Sequence, residues 1–349
     1  MKKILLVGLM TALLFTLCGP AGATPQTHAP YEIEIVGLFA GSTGYVVANA
    51  LAGWINKDSK WLKATAPESL GGFLNVKEVV AEPRKRKTRI FFTNREIMWA
   101  AKRGLGPYAA PPFNSFNYDE FKALWFCLLG GGSYITTNPD IKTFADLDGK
   151  KVVIESEAGG VKSVYLLNLF KQAGVKPKGS YMKSPVAVGA LKDGMVDAIW
   201  GTSDLKSLPN TWAPGGRYKE LIATRDVYPI NMPKGPYAAM VKDLDFLEPL
   251  AERPPFTFGK KQTAPWTVKQ THMYWAAHQD MPDHVVLEVL NILYEHCEEL
   301  GNYKASQKLV TKKTMGAMGL PEEALHRAAL AFYKEKGMGL EDITIVGAK

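Results

Sequence analysis

A strand, a short glycine-rich loop and a helix follow one another near the start of the chain, and this order constrains the fold more than any other feature. Residues 31–40 (YEIEIVGLFA) alternate and then become apolar, which is typical of a strand entering a core. The loop 41–44 (GSTG) follows, and apolar residues then recur at helical spacing over 46–55. The same order returns further along, with a strand at 151–154, a loop at 156–160 and a helix at 161–173. Strands that alternate with helices predict α/β lobes with mostly parallel sheets.

The length of the chain favours two lobes. Its first 23 residues have the pattern of a secretory signal, because Lys2 and Lys3 precede an apolar stretch at 4–17 and an A-x-A cleavage site at 21–23. Cleavage of this signal leaves 326 of the 349 residues, which is long for a single core. We predict a first lobe formed by residues 31–129 and 236–349 and a second formed by 130–235, with crossings near 130–132 and within 229–240.

Net charge and cysteine content narrow the possible partners. The formal net charge is +8, and loss of the two signal lysines leaves +6, so the surface could favour an anionic solute. Export would separate the chain from nucleic acid, and none is expected as a partner. Cys127 and Cys297 remain after cleavage; we interpret them as two unpaired structural thiols, with a disulfide as the alternative.

Motifs of the common enzyme classes are absent from the sequence. It contains no Walker loop, no H-E-x-x-H, no C-x-x-C, no G-x-S-x-G and no G-x-G-x-x-G. His272, His278 and His284 are spaced by six residues, so successive ones lie off a shared helix face, and surface or packing roles are favoured over metal binding. We predict no catalytic residue, no metal ligand and no cofactor.

Two predicted helix starts are suited to an anion. The first N–H groups of a helix lack internal partners, and its dipole favours negative charge there. Ser42 and Thr43 supply hydroxyls at one start, and Lys162 supplies an ammonium group beside Gly160 at the other. Each loop follows a strand, where open α/β sheets bind their ligands. Ordinary helix capping is the alternative for either loop alone.

Several short motifs occur in a fixed order along most of the chain. They are FAGSTGY at 39–45, SLGGFLN at 69–75, FADLDGKK at 144–151, ESEAGGVK at 155–162, ALKDGMVDAI at 190–199 and YKEKG at 333–337. In this ordered set the chain resembles the TAXI-type solute receptors, which are the extracytoplasmic binding subunits of TRAP transporters. It departs from that family at 83–89 (PRKRKTR), where a small acidic turn is usual, and at Arg327-Ala328, where Pro-Gly is usual.

The resemblance implies a two-lobe fold like that of periplasmic binding proteins, which closes on a small organic anion. Ligands associated with the family are carboxylates such as glutamate and related dicarboxylates, handed to separately encoded membrane transporter subunits. A periplasmic location and a monomer are expected. The same fold would also suit a periplasmic sensor that reports to a membrane signalling protein, or an enzyme on a binding-protein scaffold, for which no convergent acid, base or metal set is evident.

We predict ligand-binding residues at the helix starts and the strand ends. Arg95 would bind a carboxylate bidentately, with a solvated helix-start residue as the alternative. Trp200 and Tyr237 would wall the pocket, with a place in the core as the alternative. The full predicted set is Ser42, Thr43, Tyr45, Gly72, Asn75, Asn94, Arg95, Gly160, Val161, Lys162, Trp200 and Tyr237.

Overall fold

A computed structural model of the chain describes residues 28–154, 161–242, 244 and 248–346. The predicted signal at 1–23 and Gly160 lie outside the described residues. None of the helices within these ranges is long and apolar enough to cross a membrane.

The strands of the described chain form one large sheet and one small sheet. Their bounds are β1 Tyr31–Val36, β2 Leu62–Thr65, β3 Arg89–Asn94, β4 Phe121–Thr136, β5 Lys151–Val153, β6 Lys178–Ser180, β7 Ile199–Ser207, β8 Thr211–Pro214, β9 Tyr228–Pro229, β10 Leu250–Arg253 and β11 Trp266–His278. The large sheet has the order β2-β1-β3-β11-β4-β7-β8, with β10 added beside β11 and β9 beside β4; β5 and β6 form the small sheet.

Helices pack against the sheets and also form much of the C-terminal part of the described chain. Their bounds are α1 Thr43–Asp58, α2 Gly72–Ala81, α3 Lys85–Thr88, α4 Arg95–Lys102, α5 Val161–Gln172, α6 Ser184–Lys192, α7 Lys219–Thr224, α8 Lys234–Val241, α9 Asp283–His296, α10 Leu300–Tyr303, α11 Arg327–Glu335 and α12 Ile343–Val346. The predicted strand–loop–helix unit at 31–55 is confirmed by β1 and α1, and the second unit by β5 and α5.

Parallel and antiparallel pairings have different places in the fold. The pairs β1–β2, β1–β3 and β5–β6 are parallel, as expected where a helix connects neighbouring strands. The two long strands β4 and β11 pair antiparallel with each other, β4 with β7 and β11 with β3. The result is an α/β fold in which helices flank the sheets and the large sheet continues from the first lobe into the second.

The two long strands are the physical link between the lobes. β4 passes through residues 129–132 without a break, with Gly130 and Gly132 paired to both β11 and β7. The early part of β11 pairs with β10, and its later part pairs with β3. Trp266 and Val268 also pack in a separate apolar cluster with Val188 and Leu191 of α6. These contacts hold the start of β11 against α6. The lobe boundary at residue 235 stays a prediction.

The two cysteines of the described chain are buried and free. Burial raises the pKa of Cys127 to about 12 and that of Cys297 to about 11, which keeps both thiols protonated and unreactive. The prediction of unpaired structural thiols is therefore confirmed.

Candidate ligand cavity

A cavity of about 930 Å³ lies where the two long strands meet the starts of several helices. Residues 41–44 and 71–73 reach it from the starts of α1 and α2, and residues 183–185 reach it from the start of α6. The glycine run 130–132 of β4 lines it together with Thr271 of β11. The first lobe and the second lobe therefore both contribute to one site, of a volume that suits a small molecule.

Side chains cap two of the helix starts at the cavity. The Ser42 hydroxyl oxygen accepts from the Tyr45 N–H at 3.1 Å, and the Asn94 side-chain oxygen accepts from the Ile97 N–H at 2.9 Å. No side chain caps α2, which follows Gly71, or α6, which follows Lys183. Uncapped helix starts leave N–H groups that an anion can accept from.

Basic side chains outnumber acidic ones among the described lining residues. The cations are Lys183, Arg217, Lys219, Lys269 and Lys304, and the acids are Glu68, Glu96 and Asp204. Two of the acids are engaged locally, because Glu68 accepts from the Ala40 N–H at 2.8 Å and Asp204 pairs with Lys206 at 3.3 Å. The cavity therefore carries an excess of positive charge that favours an anionic ligand.

The remaining acid, Glu96, forms an ion pair with Lys269, and both residues line the cavity. Sequence reasoning missed these two residues. Glu96 lies in the first turn of α4 and Lys269 on β11, so 173 positions separate them. No local pattern could have paired them; the pairing of β11 with β3, the strand that precedes α4, brings them together.

Aromatic side chains form an apolar part of the cavity. Trp200 lines it beside Tyr165, with ring centroids 6.2 Å apart, and its carbonyl accepts from the Tyr218 hydroxyl at 2.8 Å. Phe73 and Phe92 line the first-lobe side. Such surfaces can hold the carbon skeleton of a ligand while charged groups orient its ends.

The structure brings five of the predicted ligand residues to the cavity. Those that line it are Ser42, Thr43, Gly72, Asn94 and Trp200. Val161 and Lys162 open α5, but their side chains lie outside the part described, as does Gly160.

Four predicted residues do not line the cavity: Tyr45, Asn75, Arg95 and Tyr237. The Asn75 amide donates to the Gly37 carbonyl at 2.8 Å, and the Tyr237 hydroxyl donates to the Glu248 carbonyl at 2.6 Å. The Arg95 guanidinium donates to the carbonyl of Gly319. The side chains of Asn75, Arg95 and Tyr237 therefore form hydrogen bonds within the protein and do not face the cavity.

Within the described part of the chain, no group of three or more His, Cys, Asp and Glu side chains is placed to hold a metal ion.

A cavity between two α/β lobes joined by crossing strands defines the class of periplasmic-binding-protein-like folds. A model of the NMT1-like family matches residues 39–337, and the chain belongs to that family.

Solved structures of the same class resemble the chain at low sequence identity. MatC from Rhodopseudomonas palustris with bound malate is 12% identical, with a TM-score of 0.51 over 91% of this chain and 99% of that chain. A TctC solute-binding protein from Polaromonas, without ligand, is 14% identical, with a TM-score of 0.46 over 90% and 99%. The periplasmic aliphatic sulphonate binding protein SsuA from Escherichia coli is 16% identical, with a TM-score of 0.41 over 88% and 84%. The likeness to MatC shows a shared fold.

Proposed function

We propose that this chain is a TAXI-type solute receptor that binds a small organic anion, a carboxylate, in the cavity between its lobes. The observation that carries the proposal is the cavity itself, with five cations against three acids among its described lining residues and two helix starts without a side-chain cap. Carboxylate oxygens accept well from such N–H groups and from ammonium and guanidinium groups.

The sequence motifs support the TAXI assignment, because two of them coincide with the cavity. Residues 39–44 belong to the first motif and residues 70–73 to the second, and both stretches line the site. MatC, which shares the fold, holds malate, and malate is a small dicarboxylate. A dicarboxylate has an acid group for each lobe, and helix starts of both lobes line the cavity.

Each lobe would contribute to binding in its own way. The uncapped start of α2 would donate backbone N–H groups from the first lobe. Lys183, Arg217 and Lys219 would supply positive charge from the second, where they are exposed at the cavity. A ligand that contacts both sides would favour closure of the lobes around β4 and β11.

The proposal places the mature protein in the periplasm after cleavage of residues 1–23, as a monomer that delivers its ligand to TRAP-type membrane subunits. Reconstitution of those subunits in vesicles tests delivery directly. Uptake of the bound carboxylate should require this protein, and uptake that proceeds equally without it would contradict the transport role.

Binding is tested first by mass spectrometry of solutes that co-purify with the exported protein, and then by thermal shift with a panel of carboxylates. A ligand at 100 times its dissociation constant raises the free energy of unfolding by about 2.7 kcal/mol. Amides of the same carbon skeletons serve as neutral controls and should give no shift. A panel with no responder, or equal shifts from acids and amides, would contradict anion binding.

A further inference from the structure

The most buried cation of the cavity already has a carboxylate partner from the protein. Lys269 is 3% exposed and Glu96 is 5% exposed, whereas Lys183, Arg217 and Lys219 are exposed. The Lys269 ammonium pairs with the Glu96 carboxylate and also donates to the Gln270 carbonyl at 3.3 Å. The group that would attract a ligand carboxylate most strongly is therefore occupied.

The surroundings of this pair strengthen its electrostatic interaction. The ring of Tyr165, itself buried, lies 5.3 Å from the Lys269 ammonium. Glu96 lies in the first turn of α4, where the helix dipole favours negative charge. Charges removed from water in this way attract each other more strongly than exposed ones.

We propose that Glu96 is an internal competitor that sets the affinity and selectivity of the cavity for acids. The inference rests on the proposed function, because it concerns how that site accepts its ligand. A ligand carboxylate must displace Glu96 to reach Lys269. An acid with few other contacts binds weakly, because those contacts do not offset the free energy lost when the Glu96–Lys269 pair is broken. A ligand that also contacts the second-lobe cations gains enough binding free energy to displace Glu96 from Lys269.

Replacing the competitor should tighten binding. Glu96→Gln keeps the shape of the side chain but removes its charge, so Lys269 becomes available. Malate and acetate are the probes, measured by titration calorimetry and thermal shift. We expect affinity for either acid to rise at least about tenfold in Glu96→Gln, a change that corresponds to one decade of dissociation constant.

Glu68→Gln is the matched control. Glu68 also lines the cavity and loses the same charge, but its carboxylate is bonded to the Ala40 N–H rather than to Lys269. If only the general electrostatic effect of one lost charge operates, Glu68→Gln should raise the affinity for acids less than about threefold. Equal gains in Glu68→Gln and Glu96→Gln would overturn the proposal.

The double variant completes the test. Lys269→Met should weaken acid binding, and it leaves the Glu96 carboxylate without its partner. In that background Glu96→Gln should raise affinity no more than the roughly threefold expected for Glu68→Gln, because only the general charge effect remains. A gain of about tenfold there would overturn the proposal, as would weaker binding in Glu96→Gln alone, which would mean that Glu96 contacts the ligand directly. Circular dichroism of each variant checks folding, and the double variant avoids leaving one buried charge unpaired.

Failure of the competitor role can be distinguished from failure of the proposed receptor function. If the wild-type protein responds to no carboxylate, the receptor proposal fails by itself. Glu96→Gln should still respond to acetate, because its buried ammonium then lacks a counter-charge. If Glu96→Gln melts at a low temperature, acetate should raise that temperature more than it does for Glu68→Gln. The absence of any such rise would overturn the competitor role.

Discussion

Nε2 of His272, on the crossing strand β11, lies 2.7 Å from Oδ2 of Asp342, the residue directly before α12. On its other side, Nδ1 of His272 lies 2.8 Å from Oε2 of Glu248. His272 is buried between the two carboxylates, on the face of β11 opposite Thr271 and Met273, which line the cavity. The imidazole therefore links three distant segments behind the ligand site.

The first prediction concerns the pH dependence of stability. Burial opposes a charge on His272, but the carboxylates of Asp342 and Glu248 outweigh it and raise its pKa to about 9. A histidine in the unfolded chain has a pKa of about 6.5, so the stabilisation is complete below that pH and is lost as the pH rises towards 9. We expect the free energy of unfolding to fall by about 3 kcal/mol between pH 6.5 and 9. Urea unfolding across that range measures it.

The control for this prediction is His272→Gln, compared with the wild-type protein at each pH. Other groups, such as His296, titrate in both proteins, so only the difference between the two curves reports His272. His296 also has a raised pKa; burial opposes its charge, and its carboxylate neighbours Glu299 and Asp58 outweigh that effect. If the difference in free energy of unfolding between the two proteins does not change with pH, the pKa of His272 is not raised in the folded protein.

The second prediction separates a structural role of Arg95 from a ligand-binding role. Its guanidinium donates to the Gly319 carbonyl and lies near Glu248. Burial raises the pKa of Glu248, but His272 and, to a smaller extent, Arg95 lower it below its usual value. Arg95→Ala should therefore lower the free energy of unfolding by about 1–3 kcal/mol. Calorimetric affinity for malate should change less than about threefold, well under one decade. A loss of at least about tenfold in affinity with unchanged stability would restore the sequence-based assignment of Arg95 to the ligand.

Asn75 provides a third prediction of the same kind. Its side chain is 1% exposed, and its amide donates to the Gly37 carbonyl just before the loop that leads into α1. Asn75→Ala leaves that carbonyl without this partner and should destabilise the protein by about 1–3 kcal/mol. Thermal unfolding measures the loss, with Asn49→Ala as an exposed control whose amide bonds only within its own helix. Equal effects of the two substitutions would contradict the role of Asn75.

Local patterns predicted much of the fold. The alternation in β1 and the helical spacing in α1 are properties of neighbouring residues, so the sequence shows them directly. The end of β4 was harder to predict, because a run of three glycines usually interrupts a strand. Here the strand continues, because Gly131 and Gly132 allow the backbones of β11 and β7 to approach closely on both sides.

The site was predictable only where it depends on local geometry. Ser42 and Asn94 could be assigned to helix starts, because capping residues are recognisable in sequence. Arg95 follows Asn94 directly, yet the turn of the helix directs its side chain away from the cavity. Glu96 and Lys269 meet through the pairing of distant strands, and a single sequence carries no signal for that contact.

The last prediction tests the close approach of strands at Gly132. A Cβ atom added there would lie 2.0 Å from the Gly201 carbonyl oxygen and 2.8 Å from the Trp200 indole nitrogen. Gly132 is paired with Thr202 of β7 and Lys269 of β11, so its backbone cannot shift without separating strands. Gly132→Ala should lower the free energy of unfolding by at least about 1–3 kcal/mol, the usual range for overpacking.

Gly189→Ala is the matched control for Gly132→Ala. Gly189 lies within α6, and a Cβ atom there would meet nothing within 4 Å. Alanine has a higher helix propensity than glycine, so this substitution should be neutral or stabilising by up to about 1 kcal/mol. Urea unfolding of both variants gives the comparison. Gly132 also lines the cavity, so Gly132→Ala should weaken malate binding as well. A Gly132→Ala variant with wild-type stability and affinity would show that β4 and β7 can move apart there without a loss of free energy.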